Sequence, residues 1–331
     1  MISILTPFKN TAQYLTECIN SVLHQSYSNW EMLLVDDHST DNSAQIAMEF
    51  AQKDSRIKVF QNTGSGIIPA LQLAYAKSSG SKITRMDSDD LMPKQKLQLL
   101  NKTLEENGKN HIAVGKVKYF RTGGVSDGYL KYERWLNQLC IEENHYDEIF
   151  KECVIPSPNW LIHRDDLERA DAFNPGTYPE DYDLCFRLYE KGIKIASCKS
   201  ITHYWRDYSQ RTSRTHEHYA QNYFLDLKLH YYLKLCYNPQ KKLVLWGAGN
   251  KGKILAKLLI TKGVNFDWYC NNEQKIGHKI YNKTLYDIDT AKLSQLHQSI
   301  IAIGNPDVQQ SIKSHLSKLD LQPSTDYFFF T

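Results

Sequence analysis

Short apolar runs alternate with helix-spaced patterns over the first 120 residues. The run ISILT at 2–6 predicts a strand. It is followed by a helix whose face is Leu15, Ile19 and Val22 or Leu23, at the spacing that one side of a helix requires. Asn10 and Thr11 stand before it as candidate caps. A continuous apolar run at 31–37 reads as a second strand ending in Asp36 and Asp37, and Ser39, Thr40 and Asp41 offer caps for a helix to about Ala51. A third strand is expected at 56–60, a third helix at 67–77, and a fourth strand at 82–90 that again runs into acids. Strand–helix alternation of this kind predicts a parallel, doubly wound α/β sheet, in which ligands bind beyond the carboxyl ends of the strands. Both acidic clusters fall at those ends, on one edge of the sheet.

Residues 120–160 break the pattern with Gly123, Gly124 and Gly128 and an aromatic, acidic stretch, which reads as an insertion or helical excursion. Order returns at 159–163, in a helix from about Pro179 to Lys191, and in a strand at 193–198. A long helix is expected over 216–236, with Tyr219, Tyr223, Leu227 and Tyr231 repeating every four residues until Asn238 and Pro239 end it. A second strand–helix pattern then starts afresh, which places a domain boundary near 238.

Composition narrows the class. With 331 residues, 41% hydrophobic and 23% charged, the chain is of ordinary globular make-up and long enough for about two domains. A net charge of +3 makes no case for a nucleic-acid partner. The 21 tyrosines suit a carbohydrate site and suit a Tyr-rich core equally well. Seven scattered cysteines without a C-x-x-C pair give no disulfide framework or thiolate zinc site, and fit a reducing compartment. The first residues lack a basic region and a long apolar run, and no stretch reaches the ~20 apolar residues of a membrane span. The expectation is a cytoplasmic protein whose membrane contact, if any, is peripheral at the inner face.

The chemistry concentrates at the strand ends. Asp87, Ser88, Asp89 and Asp90 form a carboxylate group of the type that shares Mg²⁺ or Mn²⁺ with phosphate oxygens, although the same residues suit a solvated turn before Pro93. Asp37 is expected in the crevice beside Thr6 and Phe8, where a ring and a carboxylate can stack on a base and accept its N–H. The alternative for the 36–41 stretch is a helix cap alone. Glu180, Asp181 and Asp183 either favour a helix start or supply an acid–base carboxylate.

Four stretches in order carry a family resemblance. The stretch from Thr6 to Ser43, the glycine-containing 62–80, the D-x-D at 87–89 and the acidic helix start at 178–192 together resemble family 2 glycosyltransferases of GT-A fold, over roughly residues 1–215. The resemblance implies an inverting transfer of a sugar from a nucleotide-diphospho-sugar, with uridine the implied base, to a hydroxyl of a glycan or lipid-linked acceptor. It implies Thr6, Phe8 and Asp37 around the base, Asp87 near the ribose and pyrophosphate, Arg85 close to the phosphates, and Asp89 on a divalent Mn²⁺ or Mg²⁺. Asp181 matches the general base, and the helix dipole is expected to keep it ionised. Phe8 stands where the family commonly has Tyr, which leaves stacking without a hydroxyl. His203 is a further candidate metal ligand, or an ordinary structural histidine. Arg206, Arg211 and Arg214 fall where relatives have a loop over the nucleotide. Gln210 to Arg214 lacks the Trp of the processive members' Q-x-x-R-W, so a chain-extruding synthase is not expected.

The resulting division is a GT-A domain at 1–215, a helical linker at 216–238 and a Rossmann-like accessory domain at 239–331. In the last, Gly247, Gly249 and Gly252 form a G-x-G-x-x-G between strand and helix, the setting of a nucleotide phosphate site. The acid expected at the end of the next strand is replaced by Asn271 and Asn272, and Asp267 falls too early. Three other readings are carried. A sugar-1-phosphate nucleotidyltransferase would open with a Gly-rich loop that Thr6–Asn10 lacks. An oxidoreductase or regulator acting through the C-terminal domain leaves the early acids unexplained. A non-catalytic sugar binder does not need Asp181.

Overall fold

The computed structural model describes residues 1–121, 123–208 and 224–331. It divides into two compact units, Met1–His145 with Val154–Arg211, and Tyr146–Cys153 with Thr212–Thr331.

The first unit is built on a seven-stranded sheet. Its strands are β1 (Ile2–Phe8), β2 (Trp30–Asp36), β3 (Ile57–Gln61), β4 (Lys82–Arg85), β5 (His111–Phe120), β6 (Trp160–His163) and β7 (Lys194–Arg206), in the order β3-β2-β1-β4-β6-β5-β7. β1 and β2 are buried along their whole length, as strands covered on both faces by helices must be. The helices are α1 (Ala12–Leu23), α2 (Ser43–Lys53), α3 (Ile67–Lys77), α4 (Lys96–Asn107), α5 (Asp127–Glu142), α6 (Arg164–Arg169) and α7 (Glu180–Glu190). α1 buries Leu15, Cys18, Ile19 and Val22, one face at helical spacing, and α5 is the excursion expected between 120 and 160.

Three expectations change. β6 runs antiparallel to both β4 and β5, so the sheet is mixed and not wholly parallel. Strand β4 stops at Arg85, and the acids lie in the turn beyond it. Neither Asn10 nor Thr11 caps α1. Asp41 instead accepts from Ala12 N with one carboxylate oxygen (3.0 Å) and from Ser43 N with the other (2.9 Å), joining the starts of α1 and α2. At the irregularity between β5 and β7, a side chain on Gly115 would meet Thr202 Oγ1 at 2.0 Å, so only glycine allows the approach.

In the second unit, β8 (Lys242–Trp246), β9 (Asp267–Cys270), β10 (Lys279–Ile280), β11 (Lys283–Asp287), β12 (His297–Ile301) and β13 (Tyr327–Phe329) form a sheet of order β10-β11-β9-β8-β12-β13, parallel except at β10. Helices α8 (Phe224–Leu235), α9 (Asn250–Thr261) and α10 (Pro306–Ser317) accompany it. Residues 146–153 belong to this unit. Phe150 stacks on Phe330 at 5.4 Å and meets Phe328 and Tyr232 edge-on. No disulfide joins the cysteines. Among the described residues, no helix is long and apolar enough to cross a membrane.

Candidate functional site

Parallel pairing of β2, β1 and β4 sets the ends of three strands side by side. Asp37 follows β2 and donates its N–H to the Phe8 carbonyl at the end of β1 (2.8 Å), while Asp87, Asp89 and Asp90 follow β4. The two acidic clusters therefore share one edge of the sheet.

Asp37 is built in. Its Oδ1 accepts from Asn62 Nδ2 (2.7 Å) and Gly66 N (2.8 Å), and its Oδ2 from Lys9 Nζ (3.2 Å). Burial opposes its charge, but these three donors outweigh burial and hold the carboxyl below its ordinary range. Thr6 is fully buried and its Oγ1 has no hydrogen-bond partner, whereas Phe8 packs within the apolar core.

Arg85 links the other two motifs. Its Nε donates to Asp87 Oδ1 (3.0 Å) and its Nη1 to Glu180 Oε1 (2.8 Å), so one guanidinium spans the D-x-D and the first residue of α7. Burial works against that guanidinium, yet Asp87, Glu180 and Asp181 together raise its pKa. Asp181 follows in the first turn of α7 and accepts from Tyr182 N (2.8 Å). The helix start was expected to keep this carboxylate ionised. Burial, then the neighbouring charge of Glu180, instead push it up to about 7, against the pull of Arg85. A partly exposed side chain is thus crowded enough to lose most of its hydration.

Asp89 and Asp90 face different ways. Asp89 Oδ2 accepts from Tyr208 Oη (2.8 Å), and its carbonyl accepts from Arg206 Nε (2.7 Å). Asp90 is fully buried, with Oδ2 2.9 Å from His203 Nε2 and Oδ1 accepting from Arg206 N (2.7 Å). The other imidazole nitrogen, Nδ1, lies 3.2 Å from Lys96 Nζ. In this arrangement His203 serves Asp90 beneath the turn, not a metal position, because both ring nitrogens are engaged. Burial lowers the Lys96 ammonium to about 7, against the pull of Asp90 and Asp87.

The exposed donor set is made of oxygens, as hard divalent cations require. Among the described residues no three His, Cys, Asp or Glu side chains gather closely enough to hold an ion by themselves. The residues fit an ion that completes its shell with phosphate oxygens. Arg206 is tied to the D-x-D turn and lies over the Tyr14 and Phe120 rings at 4.7 Å from each, while Arg211 and Arg214 lie outside the described residues.

Sequence reasoning missed Asn62, Gly66 and Lys9 around Asp37, and Tyr208 on Asp89. It also missed Lys96, for which a signal exists: Lys96, Leu100 and Leu104 share the buried face of α4, where a lysine demands a partner. In the second unit, Gly247 adopts φ +97°, and a side chain on Gly252 would meet the Gly247 carbonyl at 2.1 Å. The loop is closed tightly on the start of α9, and Lys275 Nζ donates to the Ala248 carbonyl (2.9 Å).

A family model described as glycosyl transferase family 2 matches residues 3–170. Glycosyltransferase GlyG of Streptococcus pneumoniae is 28% identical over 225 residues, covering 65% of this chain and 73% of the relative. The putative teichuronic acid biosynthesis glycosyltransferase TuaG of Bacillus subtilis is 36% identical over 194 residues, covering 58% and 73%. By contrast, the chain covers only 29% of GlyA of S. pneumoniae, at 31% identity. Among solved structures, S. aureus TarS 1-349 in complex with UDP-GlcNAc aligns with a TM-score of 0.54 at 20% identity, over 78% of this chain and 71% of that one. The mannosyltransferase PcManGT of Pyrobaculum calidifontis, in complex with GDP-Man and Mn²⁺, aligns at 0.50 and 16% identity over 70% and 63%. At these identities the structures speak for the fold, which is of GT-A type.

Proposed function

We propose a reaction from one established point: the chain belongs to glycosyl transferase family 2 and is a glycosyltransferase. The donor is a nucleotide-diphospho-sugar, a UDP-sugar in the first instance, and the acceptor is a hydroxyl of a glycan or lipid-linked saccharide. One observation carries this reading. Arg85 binds Asp87 and Glu180 at once, so the D-x-D and the Glu180–Asp181 pair form a single site within the first unit.

In that site Asp181 takes the acceptor proton on its carboxylate as the new bond forms, on the face that gives inversion. Asp37, held by Asn62, Gly66 and Lys9, accepts from the base. Asp87 and Arg85 lie toward the ribose and pyrophosphate. Asp89 would hold Mn²⁺ or Mg²⁺ jointly with the diphosphate, and the ion offsets the leaving group's charge. The likeness to TarS, which is seen with UDP-GlcNAc, supports a uridine donor. The family match leaves the nucleotidyltransferase alternative without support. The oxidoreductase alternative lacks its ribose acid, since β9 ends at Cys270 and Asp267 is paired with Lys242.

Calorimetry with uridine diphosphate tests this reading directly. Binding is expected to weaken at least tenfold when a chelator removes divalent cations, because Asp87 and Asp89 repel the diphosphate unaided. Equal affinity with and without chelator overturns the metal role of Asp89.

A further inference from the structure

The first unit holds a cavity of about 10 Å³ whose lining includes Arg85, Glu180, Asp181, Ser157, Trp160 and Phe173. Ser157 is 9% exposed, and its Oγ is buried without a hydrogen-bond partner. The backbone holds it there: its carbonyl accepts from Trp160 Nε1 (2.7 Å), and Pro156 and Pro158 flank it. A buried hydroxyl without a partner is costly, and a bound water is one way to satisfy it. The volume is that of about one water centre, and a water there needs two to four polar partners. Ser157, Asp181, Glu180 and Arg85 supply them.

We propose that Ser157 is a positioning residue for Asp181, acting through a single water held in this cavity. The water accepts from or donates to Ser157 Oγ and donates to the Asp181 carboxylate. It thereby fixes the orientation of the carboxylate and favours its ionised form. Glu180, Arg85 and Asp87 are the charged groups facing Asp181, and Cys185 is the other titratable group lining the cavity. None of them replaces Ser157, because Arg85 is already held by Asp87 and Glu180.

The inference rests on Asp181 as the base only for its kinetic part. A ¹³C carboxyl NMR titration of Asp181 reads the bridge without catalysis. Ser157→Ala is expected to move that titration upward by about 0.5–1 pH unit, the size of one lost ordinary hydrogen bond relayed through water. Transfer at pH 7 is expected to fall roughly 2–5-fold with donor KM unchanged, the loss fading by about pH 9 where the carboxylate is ionised in both proteins. If the alanine variant does not fold, Ser157→Cys substitutes a bulkier, weaker donor and shifts the same titration. A titration that superimposes on wild type overturns the proposal. So does a high-resolution crystal structure with no water within hydrogen-bond distance of Ser157 Oγ. If Asp181→Asn still transfers sugar while Ser157→Ala shifts the titration, the base assignment fails and the bridge stands.

Discussion

Asp181 holds a charge that its surroundings oppose. A carboxyl raised to about 7 by burial and by Glu180 is protonated in the folded chain at pH values where an unfolded chain has already lost the proton. The native state therefore binds the extra proton between about 4 and 7, and stability falls as pH rises through that window. Asp181→Asn removes the penalty. The variant is expected to melt higher than wild type at pH 8, with the difference shrinking as pH falls from about 7 to about 4, which differential scanning calorimetry across that range reads. Its transfer rate is expected to drop ~10²–10⁴-fold, the usual worth of a positioned base, with donor affinity changed by less than tenfold. In wild type, the rate is expected to fall as pH drops below about 7, because only the ionised form accepts the proton. A variant that melts like wild type at pH 8 and transfers normally removes Asp181 as a strained base. None of this strain was legible in the chain: Pro179-Glu180-Asp181 alone suggests a helix dipole favouring the charge. The groups that set the balance, Arg85 for the charge and Asp87 and the wall around Ser157 against it, come from two other stretches of sequence.

Asp41 shows the same point for elements. Asp41→Ala takes the acceptors from Ala12 N and Ser43 N at once, so the loss is that of two helix starts. Caps are worth about 1 kcal/mol each, and an unfolding free energy lowered by about 1–2 kcal/mol, read as a lower chemical denaturation midpoint, is expected at pH 7. Burial opposes the Asp41 charge, but the bonds from Ser43 and Ala12 hold its carboxyl below the ordinary range. The contribution is therefore present above about pH 4 and lost as pH falls through the lowered value, so wild type and variant are expected to converge in acid. A midpoint unchanged by Asp41→Ala at pH 7 excludes the shared cap. The helices α1, α2 and α3 were legible because their apolar faces repeat at 3.6 residues, and β1 and β2 because both faces are apolar. The direction of β6 was not legible. Trp160–His163 reads as four apolar or half-buried positions either way, and only its pairing with β4 and β5 decides the direction. The caps were misplaced for a related reason: Asn10 and Thr11 are adjacent to α1 in sequence, but Asp41 reaches it through the fold.

For the whole molecule, the division into units sets what can be cut away. The Arg85-linked site falls within the first unit, as does the family match apart from residues 146–153, which argues that nucleotide binding survives removal of the second. A cut near 238 is nevertheless poorly placed. It removes Phe328 and Phe330 from around Phe150, the Phe330 carbonyl from Lys228, and Lys313 from Glu148 (2.7 Å), leaving residues 146–153 with their apolar side uncovered. The 1–238 fragment is expected to aggregate for that reason alone. A fragment ending at 211, with 146–153 replaced by a Gly/Ser linker, lacks the exposed aromatic and is expected to remain monomeric by size-exclusion chromatography. In calorimetry with Mn²⁺ it is expected to bind uridine diphosphate within about threefold of the full chain, a difference under ~0.7 kcal/mol. The comparison separates two causes of failure. If the linker fragment is folded and monomeric yet does not bind, part of the nucleotide site lies beyond the first unit. If it binds while 1–238 precipitates, the nucleotide site lies within the first unit and the uncovered residues 146–153 cause the aggregation.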